Sequence, residues 1–194
     1  LNYTEIVDAA IAYSMRTDPE TRDMMPIFLK IVESRLNRSL HVGKMHHRAV
    51  INVQENQTYY GLPADFLAIR DIQIKDGATL HYVAPDAMNA AEKDDIYTLI
   101  ADQLQIHPAR QGDVIEMVYS KKLTELSDRD VTNWVSELYP DLYIFGLLVE
   151  INAFAKDGPS GEIWNSRFNS AIGSVQLNDD MNRWSGPTLQ ISIG

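Results

Sequence analysis

The sequence predicts an α+β fold, in which N-terminal and C-terminal helices form a bundle around an intervening small antiparallel β-domain. Two changes of period predict it. Apolar residues recur at three and four residues up to about Asn37, alternate from Ala49, and return to helical spacing after Ser127-Asp-Arg-Asp130. The middle region also has close connections and lacks the crossover helices of a parallel sheet, apart from one short candidate at Asp86 to Lys93. On this reading residues 1–48 and 127–182 form the helical bundle and 49–126 the β-domain. Residues 183–194 form a C-terminal extension suited to strand augmentation.

The first helix is predicted from Tyr3 to Met15. Asn2 caps it, Glu5 completes a capping box, and Tyr3, Ile6, Val7, Ala10 and Ile11 make one apolar stripe. Thr17-Asp-Pro-Glu20 starts a second helix that reaches Asn37 and carries Met24, Ile27, Phe28, Ile31, Val32 and Leu36. Pro26 lacks an amide donor and crowds the preceding turn, so a kink or restart is expected there. Ser39 to Arg48 shows no sustained period and reads as a connector.

From Ala49 the pattern is twofold. Ala49 to Glu55 and Thr58 to Asp65 read as strands, and Phe66 to Lys75 follows with Arg70, Ile72 and Ile74 on its more buried face. Asp76-Gly77 signals a hairpin leading to Thr79–Val83. Ile96–Ile100, Leu104–His107 and Val114–Tyr119 complete the set, with turns at Ala101-Asp-Gln and Pro108 to Asp113.

Trp134 to Asp157 is the most distinctive stretch. A helix started by Pro140 carries Leu142, Tyr143, Phe145, Gly146, Val149, Ala153 and Phe154, which makes it too apolar around its circumference to stand against water. It needs a partner surface, and Gly146 marks a close approach by a neighbouring helix. Gly158-Pro159 ends it. Ser160 is the expected cap of the last helix, with Ile163, Trp164, Phe168, Ala171, Ile172 and Val175 at helical spacing. Leu189, Ile191 and Ile193 then alternate, as a strand added to a sheet edge would.

Composition excludes several functions. The chain has no cysteine, which removes disulfides and thiolate zinc sites and fits synthesis in a reducing cytoplasm. Its longest apolar run, Ile144 to Val149, is far short of the roughly 20 residues of a membrane span, and no membrane partner is expected. No basic segment followed by a hydrophobic one opens the sequence, so no secretion signal is expected. The net charge is −10. Residues 1–48 carry seven Lys/Arg against six Asp/Glu, residues 49–133 seven against fourteen, and residues 134–194 three against seven. Such a surface opposes ordinary nucleic-acid binding but suits a wall past which DNA slides without sticking.

Side chains with chemical potential are scattered. His41, His46 and His47 lie close in sequence, His81 and His107 are on strands, and adjacent His46 and His47 point to opposite sides of an extended segment. Asp94-Asp95, Asp128 with Asp130, and Asp179-Asp180 fall at turns or a helix end and read as solvated groups and caps. Lys121-Lys122 is a lone basic pair. No Gly-x-Ser-x-Gly elbow and no glycine-rich nucleotide signature occurs. No catalytic, cofactor-binding or metal-binding residue is therefore assigned, no cofactor is expected, and the protein is expected not to be an enzyme. The aromatics Trp134, Tyr139, Tyr143, Phe145 and Phe154, with Trp164 and Phe168, supply contact area for a core between the last two helices or for a subunit interface.

In their order along the chain these segments resemble the head-to-tail adaptor, or connector, proteins of tailed bacteriophages. Tyr60-Gly-Leu-Pro-Ala-Asp-Phe66 resembles the family's turn into its β-region, and Leu104 to Pro108 with Gly112 to Tyr119 resembles its paired strands. Leu126-Ser127, Asn133-Trp134, Tyr139-Pro-Asp141, Phe154-Ala-Lys-Asp157 and Trp164-Asn-Ser-Arg-Phe168 follow in order. The resemblance covers residues 1–180 and implies a non-enzymatic homo-oligomeric ring of twelve subunits in the virion, at the head-to-tail interface under the portal. Its implied partners are the portal protein, a downstream neck or tail protein, and genomic DNA passing through the lumen without sequence-specific binding. Two other readings are weighed beside it. A metal-assisted hydrolase would gather ligands around His81, His107 and Asp95, whereas a carbohydrate- or peptide-binding module would present Tyr59, Tyr60 and Tyr82.

Overall fold

The computed structural model of the protein describes residues 1–55, 57–88, 94–108 and 110–184. They fall into two compact units, Leu1–Gly43 with Leu123–Gly194, and Lys44–Lys122. The architecture is α+β, with N- and C-terminal helices flanking a sheet region in sequence. Among the described residues no helix is long and apolar enough to cross a membrane.

In the helical unit, α1 (Tyr3–Ser14) starts at Asn2, whose side chain accepts from the Glu5 amide while the Glu5 carboxylate accepts from the Asn2 amide. Next, α2 (Pro19–Ser39) starts at Asp18, which accepts from the Thr21 amide at 2.8 Å. It runs unbroken past Pro26, so the expected restart does not occur. Met25, Phe28, Leu29, Val32 and Leu36 are buried on both sides of the proline, and that burial offsets the missing donor, a defect of roughly 3 kcal/mol. Ile27 and Ile31, read from the sequence as part of the apolar face, remain 51% and 40% exposed.

The unit is completed by α3 (Trp134–Leu138), α4 (Pro140–Phe154) and α5 (Gly158–Trp184). α4 is its centre, packing against α1, α2, α3 and α5. Leu142, Tyr143, Leu147, Leu148 and Ile151 are fully buried, which is why this sequence tolerates so little polar surface. A Cβ on Gly146 would stand 2.7 Å from Val32 Cγ1 and 3.2 Å from Phe168 Cε2, so glycine lets α2 and α5 approach at one level. The last helix begins two residues earlier than Ser160. Asp157 caps it by accepting from the Ser160 amide at 3.2 Å, and the Ser160 hydroxyl, followed by that amide, lowers the Asp157 pKa.

The second unit holds β1 (His46–Asn52), β2 (Tyr59–Gly61), β3 (Phe66–Ile74), β4 (His81–Tyr82), β5 (Ile96–Ile100), β6 (Gln103–His107) and β7 (Val114–Lys121). They form two sheets, ordered β1-β7-β3 and β2-β6-β5-β4. Ile72, Leu104, Ile106, Ile115, Met117 and Tyr119 belong to one core. Every pairing between the strands is antiparallel except β4 with β5, which is parallel. The Asp76-Gly77 turn forms, with Asp76 at φ 58° and the Gly77 amide donating to the Ile74 carbonyl. Its second arm keeps only the Gln73–Thr79 bridge and then joins β5 instead of extending a hairpin.

Strict alternation also fails in β3. Register shifts between Phe66 and Ala68 and between Ile69 and Asp71 leave Arg70 exposed and turn Ile69 towards the core with Ile72 and Ile74. An unpaired residue in a bulge reverses the side-chain phase, which a twofold pattern cannot anticipate. The short helix candidate at Asp86 to Lys93 lies partly, and the alternating segment at Leu189 to Ile193 wholly, outside the described residues.

Candidate functional site

The most unusual side-chain environment lies in the helical unit, around a carboxylate placed within an apolar stripe. Glu33 sits on α2 one turn after Leu29 and one turn before Leu36, and it is 3% exposed. The Leu126 amide donates to Glu33 Oε1 at 2.7 Å, and the Tyr143 hydroxyl donates to the same oxygen at 3.1 Å. Asn133 Nδ2 in turn donates to the Tyr143 hydroxyl and to the Thr124 carbonyl, both at 2.7 Å. One turn further along α2, Asn37 Oδ1 accepts from the Leu123 amide at 2.8 Å. Two α2 side chains thus hold the backbone of the segment leading into α3, whose amides have no ladder partner of their own.

Burial pushes the Glu33 pKa up to about 7, with the charge of Glu125 adding to the rise and the Leu126 and Tyr143 hydrogen bonds opposing it. Burial, then the charge of Glu33, also raises the Tyr143 pKa. Glu33 lines a cavity of about 330 Å³ together with Tyr3, Lys30, Glu125, Leu126 and Asp128. The sequence reading passed over Glu33. Its signal was present as a charged residue on the face defined by Leu29, Val32 and Leu36, but spacing alone names no partner.

The residues considered for metal chemistry do not converge. His81 and His107 lie on either side of the buried Ile96, across β4, β5 and β6, and the Asp95 carbonyl accepts from the His81 amide. Among the described residues no group of three His, Asp or Glu side chains could hold a metal ion. His46 accepts from Arg70 at 3.2 Å, His47 meets the Tyr119 ring edge-on, and His41 is exposed in a loop. Asp94 pairs with Arg110 at 3.6 Å; Asp179 accepts the Gly43 amide and pairs with Arg183. Ser127 and Asp130 close a turn on each other, and Lys121 pairs with Asp65 at 3.2 Å.

The three tyrosines of the binding-module reading are also dispersed. Tyr60 is buried with its hydroxyl on the Gln57 carbonyl, while Tyr59 and Tyr82 sit on β2 and β4, the opposite edges of one sheet. They cannot form a single platform.

Surface chemistry is better developed in the helical unit. Tyr143 and Phe168 enter its core, Phe145 lies tilted against Trp164 with ring centroids 5.8 Å apart, Tyr13 of α1 meets Trp164 edge-on, and Trp134 meets Tyr139 edge-on. Phe154 meets Phe28 with ring centroids 5.7 Å apart but stays 45% exposed, and Ile27 and Ile31 are exposed on α2. On α5, Ile163, Leu177 and Met181 are exposed on a face that they share with Ser170, Ser174 and the exposed Arg167. Exposed apolar groups gathered on helices favour recognition of other protein surfaces over turnover of a small molecule. No curated protein matches the chain. A family model described as SU10 adaptor protein matches its residues 1–190.

Proposed function

Since the chain belongs to the SU10 adaptor protein family, a family of bacteriophage head-to-tail adaptors, we propose that it is a structural component of the virion neck. In this reading twelve copies form a ring under the portal, extend the DNA channel and offer a platform to the next neck or tail protein. The ring works by contact and turns over no substrate.

The family match over nearly the whole chain carries the proposal. Three physical features support it. A closed ring needs two different complementary faces on each subunit, and the helical unit exposes apolar residues on α2 (Ile27, Ile31), on α4 (Phe154) and on α5 (Ile163, Leu177, Met181). The net charge of −10 suits a channel wall that repels DNA rather than retaining it through counterion release. The dispersed His and Asp residues leave no assembled group for metal-assisted hydrolysis among the described residues.

Mass measurement of the chain before and after mixing with portal rings tests this reading. The expected product is a portal complex carrying a ring of twelve copies, with this polypeptide visible between capsid and tail by electron microscopy of virions. Virions that lack it at that vertex would overturn the proposal.

A further inference from the structure

The cavity around Glu33 has a deep acid at its floor and two exposed acids at its mouth. Among the described residues, both hydrogen bonds received by Glu33 end on Oε1 and none on Oε2. Glu125 and Asp128, from the segment that Glu33 holds, are exposed on the cavity wall. The wall's cation is Lys30, which is itself exposed, and among the described residues no ion pair joins it to Glu33. Tyr3 completes the titratable lining; burial and then the charge of Asp128 raise its pKa. Tyr143 reaches Glu33 from α4 as a hydrogen-bond donor. A nearly buried carboxyl with one oxygen uncommitted, under a rim of like charge, is an incomplete ion pair.

We propose that this cavity is a socket for one arginine side chain of the protein that docks on the helical unit, with Glu33 Oε2 as the inner acceptor and Glu125 and Asp128 as the outer ones. That a protein docks here rests on the adaptor reading; the preference for a guanidinium rests on the site. A planar guanidinium presents five donors and can engage an inner and an outer carboxylate together, whereas an ammonium acts as a compact point charge and is harder to strip of water. A cavity of about 330 Å³ accommodates the group. Glu125 and Asp128 at the mouth already exceed the single Lys30 in charge, so the incoming cation is attracted before contact.

Occupation has a local consequence. A cation on Oε2 favours the ionised carboxylate, and charge strengthens the bonds that Oε1 accepts from the Leu126 amide and the Tyr143 hydroxyl. Docking would thereby tighten the segment from Leu123 to Asn133 without any change of fold.

The experiment uses the full chain labelled with carbon-13 and nitrogen-15. The Glu33 carboxyl carbon is titrated with pH in sodium chloride and in methylguanidinium chloride of equal ionic strength, while exchange of the Leu126 amide is followed. Methylguanidinium at tenfold excess over its dissociation constant should lower the Glu33 midpoint by about one pH unit, because it binds the ionised form. Leu126 exchange should slow in parallel, and ethylammonium should act more weakly. Glu33→Gln should abolish the saturable response. Glu125→Gln combined with Asp128→Asn, two exposed changes that leave the core untouched, should weaken it while keeping the fold. The same Glu33 midpoint in both salts, or a saturable response that survives in Glu33→Gln, would overturn the socket. Because this readout needs no portal, its failure leaves the adaptor reading standing, and failure to assemble removes the docking partner while leaving the guanidinium preference of the site standing.

Discussion

At the scale of single residues, Glu33 and Gly146 are decided by what surrounds them. Glu33 is an acid whose folded pKa of about 7 lies above its ordinary value of 4.5. Between those values the folded state keeps a proton that the unfolded chain has released, so raising the pH through this window lowers stability. Below about pH 4.5 the contribution is fully present; above about pH 7 it is gone. The full linkage is trimmed by solvent at the cavity mouth, which leaves about 2 kcal/mol. Denaturant titrations across pH should therefore show wild type losing that much relative to Glu33→Gln, whose neutral amide does not titrate. Parallel pH profiles for the two proteins would refute the assignment. Gly146→Ala tests the close approach of α2 and α5. The new Cβ meets Val32 Cγ1 at 2.7 Å, and overpacking of this kind costs about 1–3 kcal/mol, more than the roughly 1 kcal/mol that alanine adds in helix propensity. A net loss near 1 kcal/mol is expected, with partial recovery when Val32→Ala is combined with it; additive losses in that double-mutant cycle would separate the two sites.

At the scale of elements, the caps and turns distribute their roles unevenly. Asn2 and Asn133 both form capping boxes, yet Asn133 is buried and also donates to the Tyr143 hydroxyl and the Thr124 carbonyl. Asn133→Ala thus removes a cap and orphans two acceptors, and should cost about 2 kcal/mol in chemical denaturation, against about 1 kcal/mol for Asn2→Ala. Equal costs would show that the Asn133–Tyr143–Glu33 chain contributes nothing beyond capping. Most elements were readable from local pattern: the Asn2 cap and Glu5 box, Pro140 opening α4, and the strands at Ile96–Ile100 and Val114 onward. The misreadings share one cause. The continuation of α2 past Pro26 without a restart, the bulged phase of β3 at Arg70, the parallel partner of β4 and the Asp157 cap each depend on packing or pairing that local sequence does not contain.

For the whole molecule, exposed apolar groups supply the contact surfaces that the adaptor reading needs. Ile27 and Ile31 make little difference to the isolated helical unit, because they are exposed, so Ile27→Ser with Ile31→Ser should shift its stability by no more than about 0.5 kcal/mol per site. On the adaptor reading the same pair of changes weakens ring formation on the portal, measured by mass; unaltered assembly would remove this face from the interface. The amino-acid sequence by itself determined the α+β order, the central helix with its glycine contact, and the family, because periodicity and motif order are written along the chain. Folding selected the acidic residue that is buried among the described ones, the atoms on which its hydrogen bonds end and the apolar side chains that remain uncovered. The physical reason is that desolvation and pairing belong to residues distant in sequence, here Glu33 with Leu126 and Tyr143, and come into being only when the chain brings them together.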